Sequence, residues 1–98
     1  MVAYLRGVRD YNDALKRPDG RSEVGAVLAQ YTAVQDISLY RRTGFVYLDP
    51  NGRLNAASLA EQLAWFTQQG LVTAPVDLQA AQDSSFVDSA LQRLGRYE

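Results

Sequence analysis

Asp49-Pro50-Asn51-Gly52-Arg53-Leu54-Asn55, running into Ala56 to Gln69 and stopping at Gly70, is the stretch whose reading decides the fold class. Asp-Pro followed by Asn-Gly is turn chemistry: proline fixes φ, and asparagine and glycine accept positive φ at little cost. Beyond the turn, Leu59, Leu63 and Phe66 recur at i, i+4 and i+7, with Ala56, Ala60 and Ala64 beside them. That spacing predicts one apolar stripe on a helix. Ser58 and Glu61 have the S-x-x-E spacing of a capping box, and Asn55 is the competing N-cap three residues earlier. Gly70 sits where a glycine in left-handed conformation closes a helix, with Leu71 placed to fold back on Phe66.

The same periodicity extends outward. Val2 to Leu15 puts Tyr4, Val8, Tyr11 and Leu15 on one helical face with Leu5 flanking, interrupted by Gly7. Arg6, Arg9, Asp10 and Asp13 fall largely elsewhere. Pro18-Asp19-Gly20 breaks the chain, and a second helix is expected from Arg21 or Ser22 to Tyr31, capped by Asp19 or Ser22. Its buried face is expected to be Val24, Val27, Leu28 and Tyr31. Gly25 is placed to pair with Gly7 where two helices approach. Asp36 caps a short helix over Ile37–Arg42, and Phe45–Leu48 reads as an extended connector. Pro75 makes Leu71–Gln82 irregular. Asp83-Ser84-Ser85 then caps a last helix, Phe86–Leu94, burying Phe86, Val87, Ala90, Leu91 and Leu94 and ending at Gly95. The expected architecture is all-α: about five short helices and two extended connectors, forming one unit over residues 1–98.

Ninety-eight residues suit one domain, whose core is adequate without being generous. A net charge of −1 gives no electrostatic reason to bind nucleic acid or anionic lipid. No apolar run reaches membrane-span length, so direct membrane insertion is not expected. The N-terminus lacks a charged-then-apolar signal pattern. Cysteine and histidine are both absent, which removes disulfides, thiolate metal sites and the commonest general base.

The remaining chemistry reads blandly. Asp49, Asn51 and Asn55 resemble a calcium loop superficially, but position six is Leu54 and position twelve is Ala60, where an EF-hand needs glycine and glutamate. Asp10 and Asp13 share a face as solvated pairs do, and Arg41-Arg42 reads as a basic helix end. Trp65 lies one 100° step off the Leu59-Leu63-Phe66 stripe. It either widens the buried face or meets something outside the chain. Spacing alone gives a helical domain with no catalytic, metal or cofactor site.

Several blocks carry a further signal. Ala3-Tyr4-Leu5-Arg6-Gly7-Val8-Arg9-Asp10-Tyr11 resembles a helix found late in ABC-transporter periplasmic substrate-binding proteins of the nitrate/sulfonate/taurine and thiamine-precursor-binding group. Leu48 to Asn55, Ser58-Leu59 and Trp65 to Val72 resemble the C-terminal signature of the same proteins, continued by Asp77, Ser85-Phe86-Val87 and Leu91, Arg93-Leu94-Gly95. Gly25 and the run Thr43–Tyr47 depart from that pattern.

The resemblance implies the helical C-terminal portion of a type II periplasmic-binding-protein fold, with the N-terminal α/β lobes absent. It also implies a periplasmic parent that docks on an ABC permease. No ligand-binding residue carries over. Two expectations follow: the chain alone does not bind the group's solutes, and its exposed apolar helix faces drive homo-oligomerisation through Trp65 and the first helix. The alternative is a free-standing helical self-association or interaction module.

Overall fold

The computed structural model describes residues 1–98, and the chain folds as five helices with no strand. They are α1 (Val2–Lys16), α2 (Gly20–Tyr31), α3 (Ile37–Arg42), α4 (Ala56–Gln68) and α5 (Ser85–Leu94). The all-α class and irregular connectors agree with the periodicity, and the helix ends fall within a residue or two of those expected.

Capping explains the boundaries. Asp36 Oδ1 accepts from Ser38 N at 2.9 Å and from Ser38 Oγ at 2.6 Å, starting α3. Helix α4 starts at Asn55, whose Oδ1 accepts from Ser58 N at 3.0 Å. The Ser58–Glu61 capping box therefore does not form, because Ser58 is already inside the helix. Its hydroxyl instead accepts from Gln62 Nε2. At the other end Gly70 has φ 73°, Gly70 N donates to Thr67 O and Leu71 N donates to Phe66 O at 3.0 Å. These two bonds are the Schellman closure that the glycine predicts. Asp19 takes the N-cap position of α2, yet its side chain makes no capping bond.

Packing is sparse. Helix α1 contacts α2 and α5, α2 contacts α3, and α4 touches no other helix. The buried set is Leu5, Val8, Ala14, Gly20, Val24, Gly25, Asn51 and Ala90. Several expected core positions are corrected. Tyr4, Val27, Tyr31 and Phe86 are exposed, since each lies on the flank of its helix that no neighbour covers. The α1 stripe is rotated toward Leu5, which is 0% exposed. Gly7 and Gly25 do not pair: space around Gly7 is open, whereas a side chain on Gly25 would meet Tyr40 Cβ at 3.2 Å. Gly25 is the seat of α3, not of α1.

The shape follows from this. The radius of gyration is 17.1 Å, against about 13 Å for a compact chain of this length. The accessible surface is 7692 Å², while a compact monomer of 10.9 kDa shows about 5,600 Å².

Candidate functional site

One polar cluster joins three distant parts of the chain: α1, the Asp49–Gly52 turn and the C-terminal tail. The turn forms because Gly52 N donates to Asp49 O at 2.9 Å and Asn51 N donates to Asp49 Oδ1 at 2.8 Å. Only Gly52 takes positive φ, 67°, and Asn51 does not. That places Asn51 inward, 6% exposed. Its carboxamide pairs twice with one residue of the tail: Tyr97 N donates to Asn51 Oδ1 at 2.8 Å, and Asn51 Nδ2 donates to Tyr97 O at 3.0 Å. A buried amide with both ends satisfied fixes register, since either bond alone would leave a polar group unpaired.

Arg9 closes the cluster from α1. Its Nε donates to Pro50 O at 3.1 Å, Nη1 to Leu94 O at 3.4 Å and Nη2 to Gly95 O at 2.6 Å. The guanidinium thus binds the turn and the C-terminal carbonyls of α5, where positive charge is favoured by the helix dipole. Beneath it, Gly52 lies against Leu5 and Val87, so close that a Cβ there would be 3.0 Å from Leu5 Cδ2. The Tyr97 hydroxyl accepts from Lys16 Nζ and donates to Asp13. The Tyr97 bond, joined by the Lys16 charge, holds the Asp13 carboxyl below its ordinary 3.8, and the same hydroxyl raises Lys16 above 10.5. Both groups are on the surface, so screening keeps the pair weak.

The connector Thr43–Leu48 is strapped along α1. Tyr11 Oη donates to Val46 O at 2.7 Å, Asn12 Nδ2 donates to Leu48 O at 3.0 Å, and the Tyr11 and Phe45 rings meet edge to face. Partial burial raises the Tyr11 hydroxyl above its usual value.

Four residues with candidate chemistry, Asp13, Asp49, Asn51 and Asn55, have a structural occupation. Asp49 serves its own turn and pairs with Arg53 at 3.3 Å, Asn51 holds the tail, and Asn55 caps α4. Asp13 bonds Tyr97, and both Asp10 and Asp13 are exposed. Arg41 and Arg42 are exposed at the end of α3.

Open grooves lie beside the clasp and beside α4. One, of ≈ 520 Å³, lies between the turn and the start of α5, floored by Leu54, Val87 and Leu91 and rimmed by Arg53, Asp88 and Arg96. Another, of ≈ 590 Å³, runs between α4 and the Val76–Gln79 segment. Trp65, next in sequence to the groove-lining Ala64, is 54% exposed and edge to face with Phe66 at 5.1 Å.

Sequence reasoning missed the Arg9–Asn51–Tyr97 clasp. Asn51 looked like a turn residue and Arg9 like a solvated one. The only available signal was an Asn beside a glycine forced to positive φ. Compared with protein-family models, curated proteins and solved structures, the chain matches none.

Proposed function

We propose that this chain is the C-terminal helical portion of an ABC-transporter solute-binding protein of the nitrate/sulfonate/taurine or thiamine-precursor type. On this reading it supplies helices that pack against a two-lobed body, and it holds no solute cleft of its own. The observation that carries the reading is the state of the block Leu48–Val72. The residues that resemble the C-terminal signature form a capped helix whose aromatic face meets no other helix of the chain. A segment that evolved against a larger body has this character: well-formed local structure with its apolar side left over.

The test adds the chain in trans to the α/β lobes of a solute-binding protein of that group, truncated before its own C-terminal helices. Recovery of a stoichiometric complex is expected. Failure to associate, with lobes shown to be folded, contradicts the reading. Calorimetry of the chain alone with taurine, nitrate or an aminopyrimidine is expected to show no heat of binding, and micromolar affinity would overturn that part.

One observation favours the second reading, a free-standing interaction module. The clasp ties α1, the central turn and the tail together within these 98 residues, as a self-supporting nucleus does.

A further inference from the structure

Residues 53–82 form an arm that leaves the clasp and returns to it at the same place. The ≈ 520 Å³ groove is lined on one side by Asn51–Leu54 and on the other by Gln82–Ser84 and Val87, so the two roots of the arm are adjacent. Between them α4 touches no other helix. An open groove of ≈ 590 Å³ separates it from its own return segment, with Leu63 and Ala64 on one wall and Val76 and Leu78 on the other. A helix of 13 residues with so little support is marginal in water.

The arm is also depleted of charge. From Leu54 to Val76 the sole charged side chain is Glu61. Helix α1, of similar length, carries Arg6, Arg9, Asp10, Asp13 and Lys16. The arm instead presents Trp65, Phe66, Leu71 and Val76 to solvent. Loss of charge with retention of Trp and Phe is the composition of an interface centre.

We infer that the arm is a self-docking element: in the isolated chain a second copy covers it, α4 against α4 about a two-fold axis near Trp65. Three considerations select a second copy. The surface in excess of a compact monomer is roughly 2,100 Å² per chain, beyond the roughly 800 Å² per partner that a stable interface requires. A net charge of −1 sets almost no repulsion between copies. An arm whose charges are Arg53 and Asp77 at its ends and Glu61 between them offers little to recognise nucleic acid or a charged peptide, while another arm offers an apolar face of matching length. An isologous pair also closes at two, so it does not propagate. Helix α1 is not part of this contact, because α2 and α5 already pack against it over Leu5, Val8 and Ala14. The inference is independent of the transporter reading, since it concerns the 98-residue chain by itself.

Sedimentation equilibrium of the chain from about 1 µM to about 100 µM reads the association. A reversible monomer–dimer equilibrium is expected, with Trp65 emission shifting to the blue as dimer forms. Trp65→Glu is expected to weaken the dimer at least about thirty-fold, as removal of a central aromatic anchor does. Phe86→Glu, at an equally exposed apolar residue on α5, is expected to leave it unchanged. Amide hydrogen exchange checks that both variants keep α1 and α5. A monomer throughout the range overturns the inference. So does an unshifted Trp65 emission in the dimer, a dimer weakened by Phe86→Glu as much as by Trp65→Glu, or open-ended polymer.

Discussion

Gly52 is where backbone and packing make the same demand. Its φ of 67° disfavours any L side chain, and Leu5 and Val87 leave no room for one. Gly52→Ala is therefore expected to lower stability by about 2 kcal/mol in denaturant unfolding, combining the left-handed penalty with displacement of Leu5. Gly70 has the same backbone sign in open space, so Gly70→Ala should cost only about 1 kcal/mol, confined to the end of α4. Asn51→Ala leaves the Tyr97 N–H and C=O without partners, and a loss of roughly 1–3 kcal/mol is expected.

Titration belongs to the residue scale too. Hydrogen bonds to Tyr97, Ser38 and Ser85 hold Asp13, Asp36 and Asp83 respectively below 3.8. Their small contributions are present above 3.8 and fade as pH falls through the lowered values. Lys16, raised above 10.5, contributes fully below 10.5 and loses its contribution as pH rises through the raised value. Tyr97→Phe is expected to bring the Asp13 carboxyl back up toward 3.8, followed by its carboxyl carbon shift. An unchanged Asp13 titration would show that Tyr97 is not its partner.

At the scale of elements, helix positions were readable because caps and breakers are local. Asp36, Asn55, Gly70 and Gly95 mark ends through bonds to residues two to five positions away. Which face each helix buries was less readable, because that depends on which neighbours arrive. Periodicity nominated Tyr4, Tyr31 and Phe86, and the structure leaves all three exposed for want of a covering element. The α1–α2 corner shows the same limit. Pro18-Asp19-Gly20 announced a break, yet nothing in the spacing said that a Cβ at Gly20 would lie 1.5 Å from the Ala14 carbonyl oxygen. Gly20→Ala must push the two helices apart, and a loss of roughly 1–3 kcal/mol is expected by thermal unfolding. Asn55→Ala removes the α4 cap and is expected to reduce helicity of the arm, at about 1 kcal/mol, while α1 and α5 keep theirs.

The whole molecule divides unevenly. Its buried residues gather at the clasp and the α1–α2–α3 corner, and its largest exposed aromatic stands on an arm whose helix touches no other helix. Composition hinted at this through a sole tryptophan off the apolar stripe. The candidate site was less legible, because Arg9, Asn51 and Tyr97 are separated by 42 and 46 positions and meet only once the chain has folded.

Hydrogen exchange on the chain at dilution below its association range addresses this division most directly. Amides of α1 and α5 should exchange slowly and together, while those of α4 exchange faster by orders of magnitude and gain protection only as concentration rises. Equal protection of all three helices in the dilute chain would contradict the account, because α4 would then be stable without a companion.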